Sequence, residues 1–525
     1  MDSKPNHFIS GDSPAIFVVP TYRPQEVGET VARYSENFRS FGYSVPIIVF
    51  DDSKGEESRK KALKSFVDAE IDYPGKIWYV GELEKQRFLS ELKTKTKISS
   101  RLLQKMFRPS YGGNRNFTLV YTLNNLFISS DDDMYPMALF ERQKGLKDGE
   151  ITKGRYVPKE SRYRTSPDDI LVGFLEVLGK SVAEAPDSYE KGNAIQDSNT
   201  DLLTNNTKSG ALNSPNTLSL IRGEVSPTAI IKLAQTFRTG SSDVDSKDYV
   251  EEFLRNPILV TMNDLSKVYV ISDYKPCITK VNWRMDCGVA GYDNRQGLPP
   301  FIPTSLRFED YMFRIWSQKK DIASAHVDAT QTHRRSPNNR PSLAEDYLNE
   351  ELSAILKDEL RRLNDGLEDL VLHFDEGFNI DLDRVGEIFE RGQKLYARAQ
   401  SKSKDAFDRK GHYIQFANAL FNTYHRFNKS DFFQYVTNTL TAEVSLLRET
   451  LEVWPRIIEK AEKIPKFAKP IKSAYGLSKW KFYRHSARLF EILFCEPLFY
   501  FSNSSEMPEI WIGKLPIRML QTIFT

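Results

Sequence analysis

The sequence predicts an α/β domain followed by an α-helical domain, on three observations. Near the amino end, apolar strand-like runs alternate with helical spacing. "AIFVVPTYRP" (15–24) is followed by a helical pattern over Glu26 to Phe41 and then by "VPIIVFDDS" (45–53), which reads as a βαβ unit. A later apolar run, "LFISSDDDMYP" (126–136), ends in three consecutive aspartates. Beyond about residue 341 the pattern changes to long helices with apolar positions three and four apart, as in "LAEDYLNEELSAILKDELRRLN".

Length and composition bound what these elements can do. A chain of 525 residues is expected to hold two or three domains. Its 73 Lys and Arg almost balance 71 Asp and Glu, so no global field points to nucleic acid. The three cysteines, Cys277, Cys287 and Cys495, are far apart and form no CxxC pair, which argues against a disulfide framework or a zinc knuckle. The polar start "MDSKPNHFISGDSPA" lacks an apolar signal core, and no stretch offers about 18 uncharged apolar residues. A cytoplasmic protein is expected, and the Asn-x-Ser/Thr triplets at Asn116, Asn205, Asn428 and Asn503 read as chance matches.

The elements then follow in order. Residues 1–13 form a polar tail, and the α/β domain is expected over 14–340. The first two strands end in Pro20, Thr21, Tyr22 and Arg23, and in Asp51, Asp52 and Ser53. A lysine-rich helix is expected from Lys85 to Met106. In "YGGNRNFTLVYTLNN", Gly112 and Gly113 permit close backbone approach, and a helix over Asn114 to Asn125 would turn its amino end toward an anion. A long insertion or loop is expected at about 148–257, because 191–216 is rich in Asn, Ser, Thr and Gly. Strand character resumes at "PILVTMNDLSKVYVISD" (257–273), and the helical domain spans 341–525.

Carboxylates at the carboxyl end of a strand point into the crevice where open α/β sheets bind ligands. Three adjacent aspartates repel one another unless something positive joins them, and a divalent cation with a preference for hard oxygen would do so. The plain alternative is a solvated loop or a helix cap.

Taken together, "PTYRP" after the first strand, "DDS" after the second and "DDD" after the strand that follows Gly-Gly-Asn-Arg-Asn resemble the donor half of GT-A glycosyltransferases, particularly glycosyltransferase family 2. The likeness continues in "VAGYDNRQGLPPFIPTSLRFEDYMFRIW" (289–316), which is similar to the family's Gly-aromatic-Asp turn, spacer and Glu-Asp pair opening a helix. It covers residues 14–340 and implies a GT-A domain, Rossmann-like with a mixed central sheet. It also implies a metal-dependent transfer from a nucleotide-diphosphate sugar, most often a UDP-sugar, to the hydroxyl of a glycan, glycolipid or protein acceptor, with inversion.

The resemblance assigns roles residue by residue. Asp52 or its neighbour Asp51 matches the aspartate that holds base and ribose, with Pro20, Thr21, Tyr22, Arg23, Gly113, Asn114 and Arg115 completing the nucleotide-sugar site. Asp131 and Asp133 match the ligands of Mn2+ or Mg2+, Asp131 and Asp132 also lying at the donor or supporting its turn. Asp310, beside Glu309, matches the general base. A further metal ligand is expected at His333, ahead of His326, because His333 lies at a strand end beside Arg334 and Arg335.

Two features fall outside the family pattern, the long 148–257 segment and the helical tail. Within the tail, 454–490 interleaves Arg and Lys with Trp480, Phe482 and Tyr483. Such a surface is a candidate for peripheral contact with anionic lipid, although a solvated helical face with a packed aromatic side is the more general explanation. Two competing functions remain at this level. A sugar nucleotidyltransferase would need a Gly-rich phosphate loop after the first strand, which "PTYRP" does not supply, and a helical scaffold with an inactive transferase domain would not need the intact acids.

Overall fold

The computed structural model describes residues 15–69, 71–136, 139–141, 162–164, 169–191, 225–236, 246–255, 277–279, 288–307, 309–310, 313, 317, 322–327, 329, 332–333, 343–364, 380–404 and 411–471. Its first half runs β1 (Ile16–Thr21), α1 (Val27–Ser40), β2 (Ile47–Asp51), α2 (Glu56–Asp68), β3 (Ile77–Val80), α3 (Glu82–Thr96), α4 (Ser100–Met106), α5 (Tyr111–Tyr121) and β4 (Leu126–Ser130). Then come β5 (Met134–Tyr135), β6 (Leu139–Glu141), β7 (Arg162–Arg164), α6 (Val172–Val177), β8 (Glu190–Lys191), β9 (Ile231–Thr236), α7 (Ser246–Arg255), β10 (Cys277–Thr279), β11 (Val289–Asp293), β12 (Ala323–Val327) and β13 (Thr332–His333). The chain continues through α8 (Leu343–Asn364), α9 (Leu382–Lys402), α10 (His412–Leu420), α11 (Lys429–Ala461) and β14 (Lys469–Pro470).

Among the described residues one ten-stranded mixed sheet dominates, in the order β14, β3, β2, β1, β4, β11, β9, β12, β10, β8. Strands β3, β2, β1 and β4 are parallel, and β11 runs antiparallel to both its neighbours, β4 and β9. The continuous apolar runs of β1 and β2 exist because both faces are covered. Successive side chains alternate between the faces. Phe17, Val19, Ile47 and Val49 meet Val31, Tyr34 and Phe38 of α1 and Phe66 of α2. Ile16, Val18, Ile48 and Phe50 face the opposite layer, with Phe88 of α3, Leu103 of α4 and Phe117 and Tyr121 of α5.

Several boundaries differ from the sequence expectation for physical reasons. The lysine-rich helix is two helices, because Lys97 ends α3 in the left-handed region at φ 57° and Ser99 caps α4 by accepting from the Leu102 N–H. Helix α5 begins at Tyr111 instead of Asn114, with the Ser110 hydroxyl accepting from the Gly113 N–H at 3.0 Å. Gly112 therefore lies inside its first turn, where a β-carbon would stand 1.7 Å from the Ile302 carbonyl oxygen. The Gly-aromatic-Asp piece is no turn: Gly291, Tyr292 and Asp293 belong to β11, and Asp293 pairs with Leu126 at the start of β4, away from the three aspartates. The expected insertion contributes β9 to the middle of the sheet and α7 to the helical core. The strand expected at 257–273 lies outside the described residues, as do the 1–13 tail and residues 191–216 apart from Lys191.

The change of pattern near residue 341 marks the start of helices with a hydrophobic core of their own, which Ile302 and Leu306 also enter. Helices α8 to α11 share a core with α7, while the far end of α11 leaves it and buries Val453, Trp454 and Ile457 in the layer formed by α3, α4 and α5. The chain divides into compact units at 473/474 instead of at 340/341, and the second unit lies outside the described residues. In the described part of the basic segment, Trp454 donates to the Leu298 carbonyl at 2.7 Å, and Lys466 lies over the rings of Phe88 and Tyr121 with its amine donating to the Val120 carbonyl. Both side chains are thus committed to the protein. Among the described residues no helix is long and apolar enough to cross a membrane.

Candidate functional site

The parallel order of β2, β1 and β4 brings three strand ends to one edge. There the Asp52 N–H donates to the Thr21 carbonyl at 2.8 Å, which joins the first two ends directly. Pro20 is half-buried within β1, Tyr22 is 43 % exposed, and the Arg23 guanidinium lies over the Tyr22 ring.

The two aspartates after β2 have different environments. Asp51 is fully buried and accepts from the Tyr79 hydroxyl at 2.7 Å and from both the N–H and hydroxyl of Ser53 at 2.8 Å. That set of donors makes Asp51 a component of the turn. Asp52 instead pairs with the Lys85 amine, which also donates to the Asn114 side-chain oxygen at 2.8 Å. Asn114 in turn donates to the Phe50 carbonyl. Burial raises the Asp52 pKa, with Lys85 opposing. Of the two, Asp52 is the candidate for a ligand.

The three consecutive aspartates fan out. Asp132 turns inward, accepting from the Thr21 hydroxyl at 2.6 Å, while the Thr30 hydroxyl donates to its carbonyl. Asp133 accepts from Arg23 Nη2 at 2.7 Å, and the same nitrogen lies 3.4 Å from Asp132. Asp131 accepts from Arg115 Nη2 at 2.8 Å and keeps about a third of its side chain exposed, 35 %. Arg115 Nε donates to Glu309 at 3.2 Å, so one buried guanidinium joins the acids after β4 to the Glu309–Asp310 turn. Gly113 lies in the first turn of α5 immediately before Asn114 and Arg115, its N–H donating to the Ser110 hydroxyl, and Asp310 is half-buried beside Glu309.

Here four carboxylates, Asp131, Asp132, Asp133 and Glu309, meet two guanidiniums, Arg23 and Arg115. Burial first, and their mutual repulsion after it, hold protons on two of the carboxylates. Burial of the cluster raises Asp131, Arg115 opposing it and Asp133 and Asp132 adding to it, although solvent at 35 % of its side chain weakens the effect there. Burial likewise pushes Asp132 up to about 6, Arg23 opposing and Asp133 adding. Both folded values lie above the ordinary carboxylate value, so the folded state binds these protons more tightly than the unfolded state. Their contribution to stability is therefore present at low pH and is lost as pH rises toward 7. In metal-free buffer, thermal unfolding is expected at a higher temperature near pH 5 than near pH 8, and Asp132→Asn, at the more deeply buried of the two, should flatten that slope. A slope unchanged by the substitution would contradict the assignment.

The donor chemistry suits a hard divalent cation, because carboxylate oxygen is what Mn2+ and Mg2+ prefer. It is not preassembled: among the described residues no group of three or more His, Cys, Asp and Glu side chains is arranged to hold a metal ion. Asp131 and Asp133 are each paired with a guanidinium, Arg115 and Arg23, which a cation would have to displace. The histidines separate clearly. His326 is buried in β12 against Gln235 of β9, at 3.4 Å. The sheet register carries His326 through Gln235 and Ala290 to Ser129, three strand spacings or on the order of 14 Å from β4. It is a core histidine and does not share a site with Asp133. His333 pairs through its backbone with Met134 in the small β13–β5 ribbon, next to the aspartate turn. Arg334 and Arg335 lie outside the described residues.

Sequence alone did not single out Thr30 or Lys85. Thr30 sits on the buried face of α1, and Lys85 is a buried lysine in the first turn of α3, where an acid would suit the helix dipole. That mismatch was the available signal for Lys85. Compared with protein-family models, with curated proteins and with solved structures, the chain gives no significant match to any of them.

Proposed function

We propose that this chain is a metal-dependent glycosyltransferase of the GT-A type, resembling family 2, which moves a sugar from a nucleotide-diphosphate donor to an acceptor hydroxyl with inversion. The observation that supports it most is the convergence at one sheet edge. Thr21 and Arg23 from β1, Asp52 from β2 and Asp131 to Asp133 from β4 meet there, and Arg115 ties that edge to Glu309 and Asp310.

In this reading Asp52 accepts hydrogen bonds from the nucleoside, whose hydroxyls are donors. Asp131 and Asp133 would hold the divalent cation, which when bound neutralises charge on the departing diphosphate. Arg23, released from Asp133, faces the same phosphates with a planar guanidinium suited to paired oxygen contacts. Arg115 keeps Glu309 and Asp131 in fixed relation. Asp310 takes the proton of the attacking acceptor hydroxyl, on the face opposite the leaving group.

The test is a thermal-shift and hydrolysis screen of UDP-, GDP- and dTDP-sugars with and without Mn2+. One donor class is expected to stabilise the protein only when Mn2+ is present. With that donor, Asp310→Asn should leave binding intact and lower transfer by about 10²–10⁴-fold, the usual worth of a general base. Equal loss of binding and transfer would make Asp310 structural, and no response to any nucleotide sugar would defeat the proposal.

A further inference from the structure

The segment 301–307, just before Glu309 and Asp310, is held on two sides. From the α/β side, the Asn116 amide donates to the Phe301 carbonyl at 2.9 Å and accepts from the Phe301 N–H at 2.7 Å, and Arg108 Nε donates to the Pro303 carbonyl at 2.8 Å. From the helical side, Ile302 and Leu306 are buried among the side chains of α8 to α11. Ser353 of α8 donates to the Arg307 carbonyl at 2.6 Å, and the Arg307 guanidinium lies 3.0 Å from Glu350 and 3.5 Å from Asp346.

Glu443 of α11 is where these two sets of contacts meet. It is 5 % exposed, and its Oε1 accepts from Arg108 Nη2 at 3.3 Å, from the Ser305 N–H at 3.2 Å and from the Ser305 hydroxyl at 2.8 Å. Its other oxygen is buried with no hydrogen-bond partner. A buried carboxylate carrying one unsatisfied oxygen is costly in a helix that could bury a hydrophobic residue there. What it gains is position: Arg108 precedes α5, which carries Arg115, and Ser305 precedes Glu309. The same oxygen thus fixes the two chain segments whose side chains meet in the Arg115–Glu309 pair.

We propose that Glu443 is a positioning residue, and that the helical region is a structural part of the site through which the Glu309–Asp310 turn is held against the strand edge. The consequence for transfer rests on the glycosyltransferase reading, but the positioning itself does not. Hydrogen–deuterium exchange on the ligand-free full chain measures it directly. Glu443→Ala should raise exchange over 301–310 by about tenfold or more while β1 and β4 remain protected. Glu443→Gln, which keeps an acceptor for Ser305, should restore most of the protection. Val177→Ala, a cavity substitution in α6 within a core that holds no residue of 301–310, serves as the stability control and should leave 301–310 unchanged. Unchanged exchange in Glu443→Ala, or equal loosening in Val177→Ala, overturns the proposal whether or not the chain turns over a nucleotide sugar. If the screen identifies a donor, Glu443→Ala should lower kcat for transfer with donor affinity within about twofold of the parent, and Glu443→Gln should recover it. Equal loss of both would overturn the positioning role.

Discussion

Replacing Asp133 with alanine is expected, on the proposed transferase reading, to lower metal-dependent transfer by about 10³-fold or more, since a bound cation would supply several kcal/mol of charge stabilisation to a departing diphosphate. The fold should survive the change. Asp133 is buried and paired with Arg23, so its loss removes that favourable pairing, but it also removes a repulsive neighbour from Asp131 and from Asp132. Arg23 retains Asp132 at 3.4 Å as a counter-charge. Two measurements check this: transfer rate against Mn2+ concentration, and unfolding temperature in metal-free buffer. Transfer close to that of the parent would remove Asp133 from the metal site. A collapse of stability would mean that its pairing with Arg23 is structural first.

The strands of this fold were legible where burial on both faces leaves a continuous apolar run, as in Ile16 to Val19 and Ile47 to Phe50. They were illegible where the run is mixed. In β9 the sequence Ile-Lys-Leu-Ala-Gln-Thr offers only weak alternation, and its position between β11 and β12 is set by tertiary pairing. Gly291 misled in a different way. A glycine followed by an aromatic residue and an aspartate suggests a turn, yet here it lies in a strand, and glycine is required because a β-carbon would stand 2.4 Å from the Leu178 side chain.

The candidate site divides along the same line. Aspartates at strand ends announce themselves by residue type and place, and Thr21, Asp52 and Asp131 to Asp133 do meet at one edge. What local pattern cannot show is which cation each acid faces. Arg23 reaches Asp133 across 110 positions, and Arg115 reaches Glu309 across 194. The same limit applies to His326, whose isolated appearance near a strand end gave no sign that three strand spacings separate it from β4.

Arg115→Met should produce the largest loss of stability among substitutions at this edge. Arg115 is 8 % exposed, donates to Asp131 and Glu309, and lies over the Phe301 ring. Methionine preserves much of the side chain's length and its apolar contact with the ring, so the change isolates the charge. Glu309 is then left buried at 6 % exposure without this partner. Breaking a buried pair from one side typically costs about 3–5 kcal/mol. The Asp131 arm should contribute less, because solvent reaches a third of that side chain. Substituting both members, Arg115→Met with Glu309→Gln, should recover a substantial part of the loss, since the stranded charge is gone. Urea denaturation of the two single variants and the double variant measures the coupling directly. A loss below about 1 kcal/mol for Arg115→Met would place this pair with exposed ion pairs, whose worth is usually no greater. The bridge between the strand edge and the Glu309–Asp310 turn would then have to be carried by the backbone contacts of 301–305 alone.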